Sequence, residues 1–164
     1  MDGVLANVLE RFFELDAQDF GRRKTLAEID GLPELEAFAN VKQYLHRPGF
    51  FRHLPVIPGS QAALEKLNRS YEVFIVSAAV EFPLSLHEKF EWLREHFPFI
   101  SWRQMVFCGS KQIVRADIMI DDHLKNLDPF PGTTYLFAAP HNSRVKSEKH
   151  IRVNDWVELE RRLV

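Results

Sequence analysis

Apolar and polar positions change rhythm twice along the chain. Over residues 4–20, Val8, Phe12 and Leu15 recur at helical spacing, with Leu5, Leu9 and Phe13 beside them, which predicts an amphipathic helix. Residues 22–47 are more polar. Gly31 and Pro33 interrupt several short helical patterns there, so the segment reads as a small helical insertion. Residues 47–58, RPGFFRHLPVIP, form an aromatic, proline-rich connector. After it comes a short helix at 59–69, then YEVFIV at 71–76, a continuous apolar run of the kind found in buried parallel strands. A helix at 83–97 follows, then three more strands: QMVFC at 104–108, DIMI at 117–120 and TYLFA at 134–138. A helix over 155–163 closes the pattern, N-capped by Asn154 or Asp155. Strands alternating with helices predict an α/β fold with a parallel sheet.

Composition narrows the class. The 164 residues suit one domain with a real core, and 46% hydrophobic with 27% charged residues is ordinary for a soluble globular chain. A net charge of −2 gives no general attraction to nucleic acid or to an anionic membrane. Phe is abundant at 14 residues, some paired as Phe12-Phe13 and Phe50-Phe51, which predicts an aromatic core or an aromatic-lined pocket. The one cysteine, Cys108, rules out an internal disulfide and predicts a cytoplasmic protein. It sits in an apolar strand, where burial raises a thiol pKa, so it reads as a core thiol and not a nucleophile. No run approaches the roughly 20 apolar residues of a membrane span, and the acidic N-terminus predicts no signal peptide.

In parallel sheets ligands bind beyond the carboxyl ends of the strands, so the residues at those ends are the candidates for chemistry. The first predicted strand leads to Ser77-Ala78-Ala79, the second to Gly109-Ser110-Lys111, the third to Asp121-Asp122 and the fourth to Ala139-Pro140-His141-Asn142. A hydroxyl, a lysine and two carboxylates on one edge suit phosphate chemistry. The carboxylates can hold Mg²⁺, an oxygen-seeking ion. Ser77 and the amides after it can grip phosphate oxygens, helped by the opening turn of the next helix, and Lys111 supplies a balancing charge. Taken singly, each has a plainer role: Asp121-Asp122 as a helix cap, Ser77 as a turn residue, Lys111 as a solvated lysine. Their convergence in strand order favours the functional reading. The set contains no nucleophile. No GxxxxGK[ST] loop is present, and no His/Cys spacing suggests zinc, since His87 and His123 stand alone.

The stretches MDGVLA, FIVSAA, Lys111 and IMIDD follow the order of four signatures of the haloacid dehalogenase superfamily of phosphatases: DxDG, Ser/Thr after a strand, Lys, and paired acids. The chain resembles in particular the 5'(3')-deoxyribonucleotidase branch, through PGFFRHLPVIPGSQAAL, EKFEWLREHF and KQIVRADIMIDD, and the likeness covers nearly all of it. The resemblance implies a Rossmannoid three-layer fold with a parallel sheet. The core would span residues 1–15 and 55–164, and residues 16–54 would form a helical cap. It implies a Mg²⁺-dependent phosphomonoester hydrolase acting on nucleoside monophosphates, with no nucleic-acid or membrane partner and with homodimers common among relatives.

Residue by residue, Asp2 matches the acid/base whose carbonyl also binds Mg²⁺, and Ser77 matches the phosphate-gripping hydroxyl. Lys111 matches the charge-balancing lysine, and Asp121 and Asp122 match the metal-binding acids, with the direct ligand left open. Ala78 stands where a second hydroxyl is common, and its amide can replace that contact. Phe50 and Phe51 would pack against base or sugar, or within the cap. The family's nucleophile, the first Asp of DMDGVLA, would precede Met1, and the central strand that delivers it is absent from this chain. The expectation is a start placed inside the motif, and a chain inactive as it stands. The alternatives are an inactive nucleotide- or phosphate-binding protein, a hydrolase in which Asp121, Asp122 or metal-bound water attacks, and a phosphatase for another small ester.

Overall fold

Helix α1 spans Val8–Phe20 in the computed structural model, which describes all 164 residues. It starts four residues later than the apolar spacing predicts, because residues 1–6 are tied into a turn. The Met1 carbonyl accepts from the N–H groups of Val4, Leu5 and Ala6. Asn7 then caps the helix by accepting from the Glu10 N–H at 3.0 Å. The turn is stitched to the connector: Asn7 donates to the Pro55 carbonyl at 2.7 Å, and Ile57 to that of Leu5 at 2.8 Å.

The polar insertion forms three helices of about one turn each, α2 (Leu26–Ile29), α3 (Glu34–Ala37) and α4 (Val41–Leu45). Helices this short are not stable alone. They are held by the aromatic cluster that the Phe content predicts. Phe12 of α1 lies 5.6 Å from Phe38, 6.5 Å from Tyr44 and 5.4 Å from Phe50, ring centre to ring centre.

Five short parallel strands alternate with the remaining helices: α5 (Ser60–Ser70), β1 (Ile75–Ser77), α6 (Leu84–His96), β2 (Met105–Phe107), β3 (Ile118–Asp121), α7 (Leu124–Leu127), β4 (Thr133–Phe137), β5 (Ile151–Val153) and α8 (Trp156–Leu163). The fold is α/β of the haloacid-dehalogenase-like kind, as expected. The strands form two sheets, β1 with β2 and β3-β4-β5, with no ladder between β1 and β3. The run 71–76 pairs only from Ile75 onward, and Tyr71 and Phe74 are exposed. Strand β5 was not anticipated: it is three residues long, and its central Arg152 points to the 142–145 loop, donating to the carbonyls of Asn142 and Val145.

Strand alternation builds the layers. Ile118 and Ile120 of β3 pack on a core of 28 buried residues that runs across both sheets, whereas Met119 faces Leu127, Phe130 and Leu136 on the α7 side. Asp155 caps α8 through the Glu158 N–H at 2.8 Å. Two buried tryptophans act as struts: Trp92 Nε1 donates to the Leu54 carbonyl and Trp156 Nε1 to the Val4 carbonyl, each at 2.7 Å. No helix is long and apolar enough to cross a membrane.

Candidate active site

The carboxyl ends of β1 and β3 open onto a cleft of about 790 Å³. One end is polar, formed by Asp2, Ser77, Lys111 and Asp122, and the opposite walls are apolar, formed by α1 and the short helices through Leu9, Phe12, Phe38 and Leu45. Met1 and Asp2 stand between the two sheet ends. The Asp2 carboxylate Oδ2 accepts from Lys89 Nζ at 2.7 Å, and the same Nζ lies 3.0 Å from Ser77 Oγ. The Met1 ammonium is buried in the range of Lys111, Asp121 and Asp122, and burial together with the Lys111 cation pushes it down to about 6.

The tight turn that brings Asp2 here needs Gly3. Its φ of +72° lies in the left-handed region, and a Cβ there would come within 2.1 Å of Asp122 Oδ2. Glycine therefore lets the turn and the paired acids share one small space.

The two adjacent acids differ sharply. Asp121 is saturated: Lys111 Nζ donates to Oδ2 at 2.6 Å, and the His123 N–H and Asn126 Nδ2 donate to Oδ1, both at 2.9 Å. Burial alone would raise its pKa, but Lys111 beside it holds the carboxyl below the usual range. The same contact raises the Lys111 pKa against the opposing effect of burial. No hydrogen bond reaches the Asp122 carboxylate, and the His123 and His141 rings lie 3.8 Å from its Oδ2. Burial pushes Asp122 up. Asp2 falls between them. Burial pushes it up, but the Lys89 and Met1 cations more than offset this and hold it low. Its Oδ1 is buried without a partner, and its carbonyl accepts no backbone hydrogen bond.

These open oxygens fit a hard divalent cation. The unpartnered Asp2 Oδ1 and carbonyl and the unneutralised Asp122 carboxylate are the atoms a Mg²⁺ ion would satisfy. Asp121 has both oxygens engaged, by Lys111 and by the loop after β3.

Beside this site lies a second group of donors, Glu34, His123 and His141, with ligand atoms within 4.8 Å of one another. The two imidazoles stack at 4.2 Å and 10°, so their in-plane lone pairs do not converge on one ion. The group is a link and not a metal cage. His141 Nδ1 meets Glu34 of α3 at 2.9 Å and its Nε2 meets the Asp122 carbonyl at 2.9 Å. Burial would lower the His141 pKa, but the Glu34 bond raises it to about 9, and His141 in turn holds Glu34 at about 2.

The structure brings Asp2, Ser77, Lys111 and Asp122 to one end of the cleft, with Ala78 in its lining. Beyond Ser77 the chain enters a 3₁₀ turn over Ala79–Glu81, and not directly the first turn of α6. Phe50 and Phe51 part company. Both are buried in the aromatic cluster, but of the two only Phe51 lines the cleft, with its ring centre 4.3 Å from Lys89 Nζ.

Lys89 was missed by sequence reasoning. Its signal was present, since it occupies the buried stripe of α6 with Ser85, Trp92 and Leu93, where an apolar residue belongs.

Comparison with known proteins agrees with this geometry. Residues 1–164 match the family model described as 5' nucleotidase, deoxy (pyrimidine), cytosolic type C protein. A 5'(3')-deoxyribonucleotidase of Bacillus subtilis strain 168 is 43% identical over 170 residues, covering all of this chain and 95% of that relative. The 5'(3')-deoxyribonucleotidase of Bacillus phage SPbeta matches to the same extent. A Staphylococcus aureus (strain Mu50) chain, a candidate 5'(3')-deoxyribonucleotidase by its name, is 41% identical over 174 residues, covering 98% of this chain and 90% of its own length.

Proposed function

Because this chain belongs to the cytosolic type C 5' deoxy(pyrimidine) nucleotidase family, we propose that it is a Mg²⁺-dependent phosphatase of deoxyribonucleoside monophosphates. The observation that carries the reading is the polarity of the cleft: charged groups at one end, aromatic and aliphatic walls at the other. A nucleoside monophosphate has the same division. In this reading residues 1–15 and 55–164 are the core and 16–54 the cap, and Phe51 faces the nucleoside.

Asp2 (through its carbonyl) and Asp122 would hold Mg²⁺, which when bound neutralises charge on the phosphate. Ser77 and the Ala78 amide grip the phosphate oxygens. Lys111, held by Asp121, presents a cation where negative charge develops. Asp2 serves as acid toward the leaving nucleoside oxygen and then as base toward water.

The aspartyl-phosphate route places the attacking carboxylate at the position before Met1. The placement of the Met1 amine supports this, because a residue attached there enters the same polar end, beside Lys111. Joining that amine in a peptide also removes one of the three cations that hold Asp2 low, and moves it toward the acid form.

The test is phosphate release from a panel of deoxyribonucleoside and ribonucleoside monophosphates with Mg²⁺. It is run on the 164-residue chain and on a chain lengthened before Met1 by an apolar strand ending in Asp. Mg²⁺-dependent turnover is expected of the lengthened chain. Its failure across the panel sinks the reading, and turnover by the shorter chain moves the attacking group to water or to Asp2.

A further inference from the structure

Helix α6 grips the segment that leads from the short helices back to the core. The Glu88 carboxylate accepts from the N–H groups of Gly49 at 2.6 Å, Phe51 at 3.0 Å and Arg52 at 3.2 Å. One turn later Trp92 holds the Leu54 carbonyl, and a further turn on Glu95 pairs with Arg52. Residues 88, 92 and 95 lie on one face of the helix. Segment 49–54 is therefore fastened at three points over about two turns of α6.

Lys89 turns inward beside this fastened face. Its side chain is buried, which is costly for a cation unless its donors are matched. An ammonium has three N–H donors. Asp2 Oδ2 and Ser77 Oγ take two of them. The Phe51 ring covers the ammonium at 4.3 Å, in cation–π range. That ring sits there because Glu88 holds the Phe51 N–H. Lys89 is thus fully engaged without a ligand, unlike Lys111, whose one hydrogen bond is to Asp121.

We propose that Lys89 is a positioning residue for the hydrolysis inferred above. It fixes the Asp2 carboxylate relative to the Ser77 hydroxyl and couples both to the seating of the Phe51 loop, which Glu88 clamps. The proposal rests on the nucleotidase reading. Its physical content is that acid–base groups work only in narrow geometry. A lysine tied to the acid of the N-terminal turn and to the hydroxyl at the end of β1 sets that geometry. Loosening the 49–52 loop would uncover the ammonium to water and relax its hold on Asp2.

The experiment uses whichever form of the chain turns over nucleotide. Lys89→Met keeps the stem and removes the charge. It is expected to lower kcat about 100-fold with KM changed less than about threefold. Lys89→Ala is expected to lose as much and to recover about tenfold in kcat on addition of propylamine, which supplies the ammonium in the vacated space. Glu88→Gln is expected to lower kcat by about fivefold, and the Lys89→Met/Glu88→Gln pair to lose less than the product of the two. Unchanged kcat per folded molecule in Lys89→Met overturns the proposal, as does a strictly multiplicative double variant.

A crystal structure of Lys89→Met separates the proposal from the nucleotidase reading. Displaced or multiple Asp2 rotamers are expected, and Asp2 and Ser77 in their original places overturn the proposal whatever the protein turns over. Absence of turnover by the unsubstituted protein sinks the nucleotidase reading and leaves this structural result standing.

Discussion

Two buried lysines, Lys89 from α6 and Lys111 from the turn after β2, each reach an aspartate at the cleft, and the two pairs differ. On the β3 side, Lys111 meets Asp121, an acid with every oxygen engaged and 3% of its surface exposed. On the β1 side, Lys89 meets Asp2, whose side chain is about a third exposed and which keeps one oxygen and its carbonyl unpartnered. The first pair is closed, whereas the second leaves its acid with unused bonding capacity. Saturation, more than charge, separates the two pairs.

The largest expected effect comes from breaking the closed pair. Lys111→Met strands Asp121 as a buried anion with two hydrogen bonds and no cation, at a cost of about 3 kcal/mol. Lys89→Met should cost only about 1–2 kcal/mol, because water reaches the partly exposed Asp2 in its place. Urea unfolding of both variants checks the order, and a larger loss in Lys89→Met would reverse the comparison. Asp122→Asn, at the open end, is expected to stabilise the metal-free protein by about 1 kcal/mol, since it removes a buried carboxylate that has no neutralising bond. On the proposed Mg²⁺ reading, added Mg²⁺ should raise the Tm of the unsubstituted chain and not that of this variant. A metal-free Tm below that of the parent would show that Asp122 has a stabilising partner after all.

The smallest effect belongs to the Glu34–His141 link. His141 is raised from 6.5 to about 9, so its contribution is full below pH 6.5 and is lost as pH climbs to about 9. Glu34 is lowered from 4.5 to about 2, so its contribution is full above pH 4.5 and is lost on acidification toward 2. The stability difference between the parent and Glu34→Gln should therefore form a plateau between pH 4.5 and 6.5. It should shrink on either side, and a difference that grows toward pH 9 would contradict the link.

The same contrast explains how far the sequence was legible. Ser77, Lys111 and Asp121-Asp122 were readable because parallel strands deliver their last residues to one edge, and those residue types stand out against apolar runs. Asp2 was readable through its neighbour Gly3, a turn residue that proved to sit against Asp122. Lys89 was hidden because EKFEWLREHF carries so many charges that one more reads as surface, and only its place in the buried stripe marks it out. The difference between Asp121 and Asp122 lies in no residue type. It comes from Asn126, the His123 N–H and Lys111 all hydrogen-bonding the first acid and none the second. Strand β5 escaped notice because a three-residue strand with a central arginine has too little pattern to register.

The bond from Trp156 to the Val4 carbonyl joins residues 152 positions apart. On a ribosome, Asp2 and Gly3 emerge long before Trp156, so this brace on the turn that carries them is not made until α8 has left the exit tunnel. Contacts of such long sequence separation form slowly. A nascent chain therefore lacks this brace while the intervening residues are made, and a stall shortly before Trp156 would yield a product with the cleft walls made and the Asp2 turn unbraced.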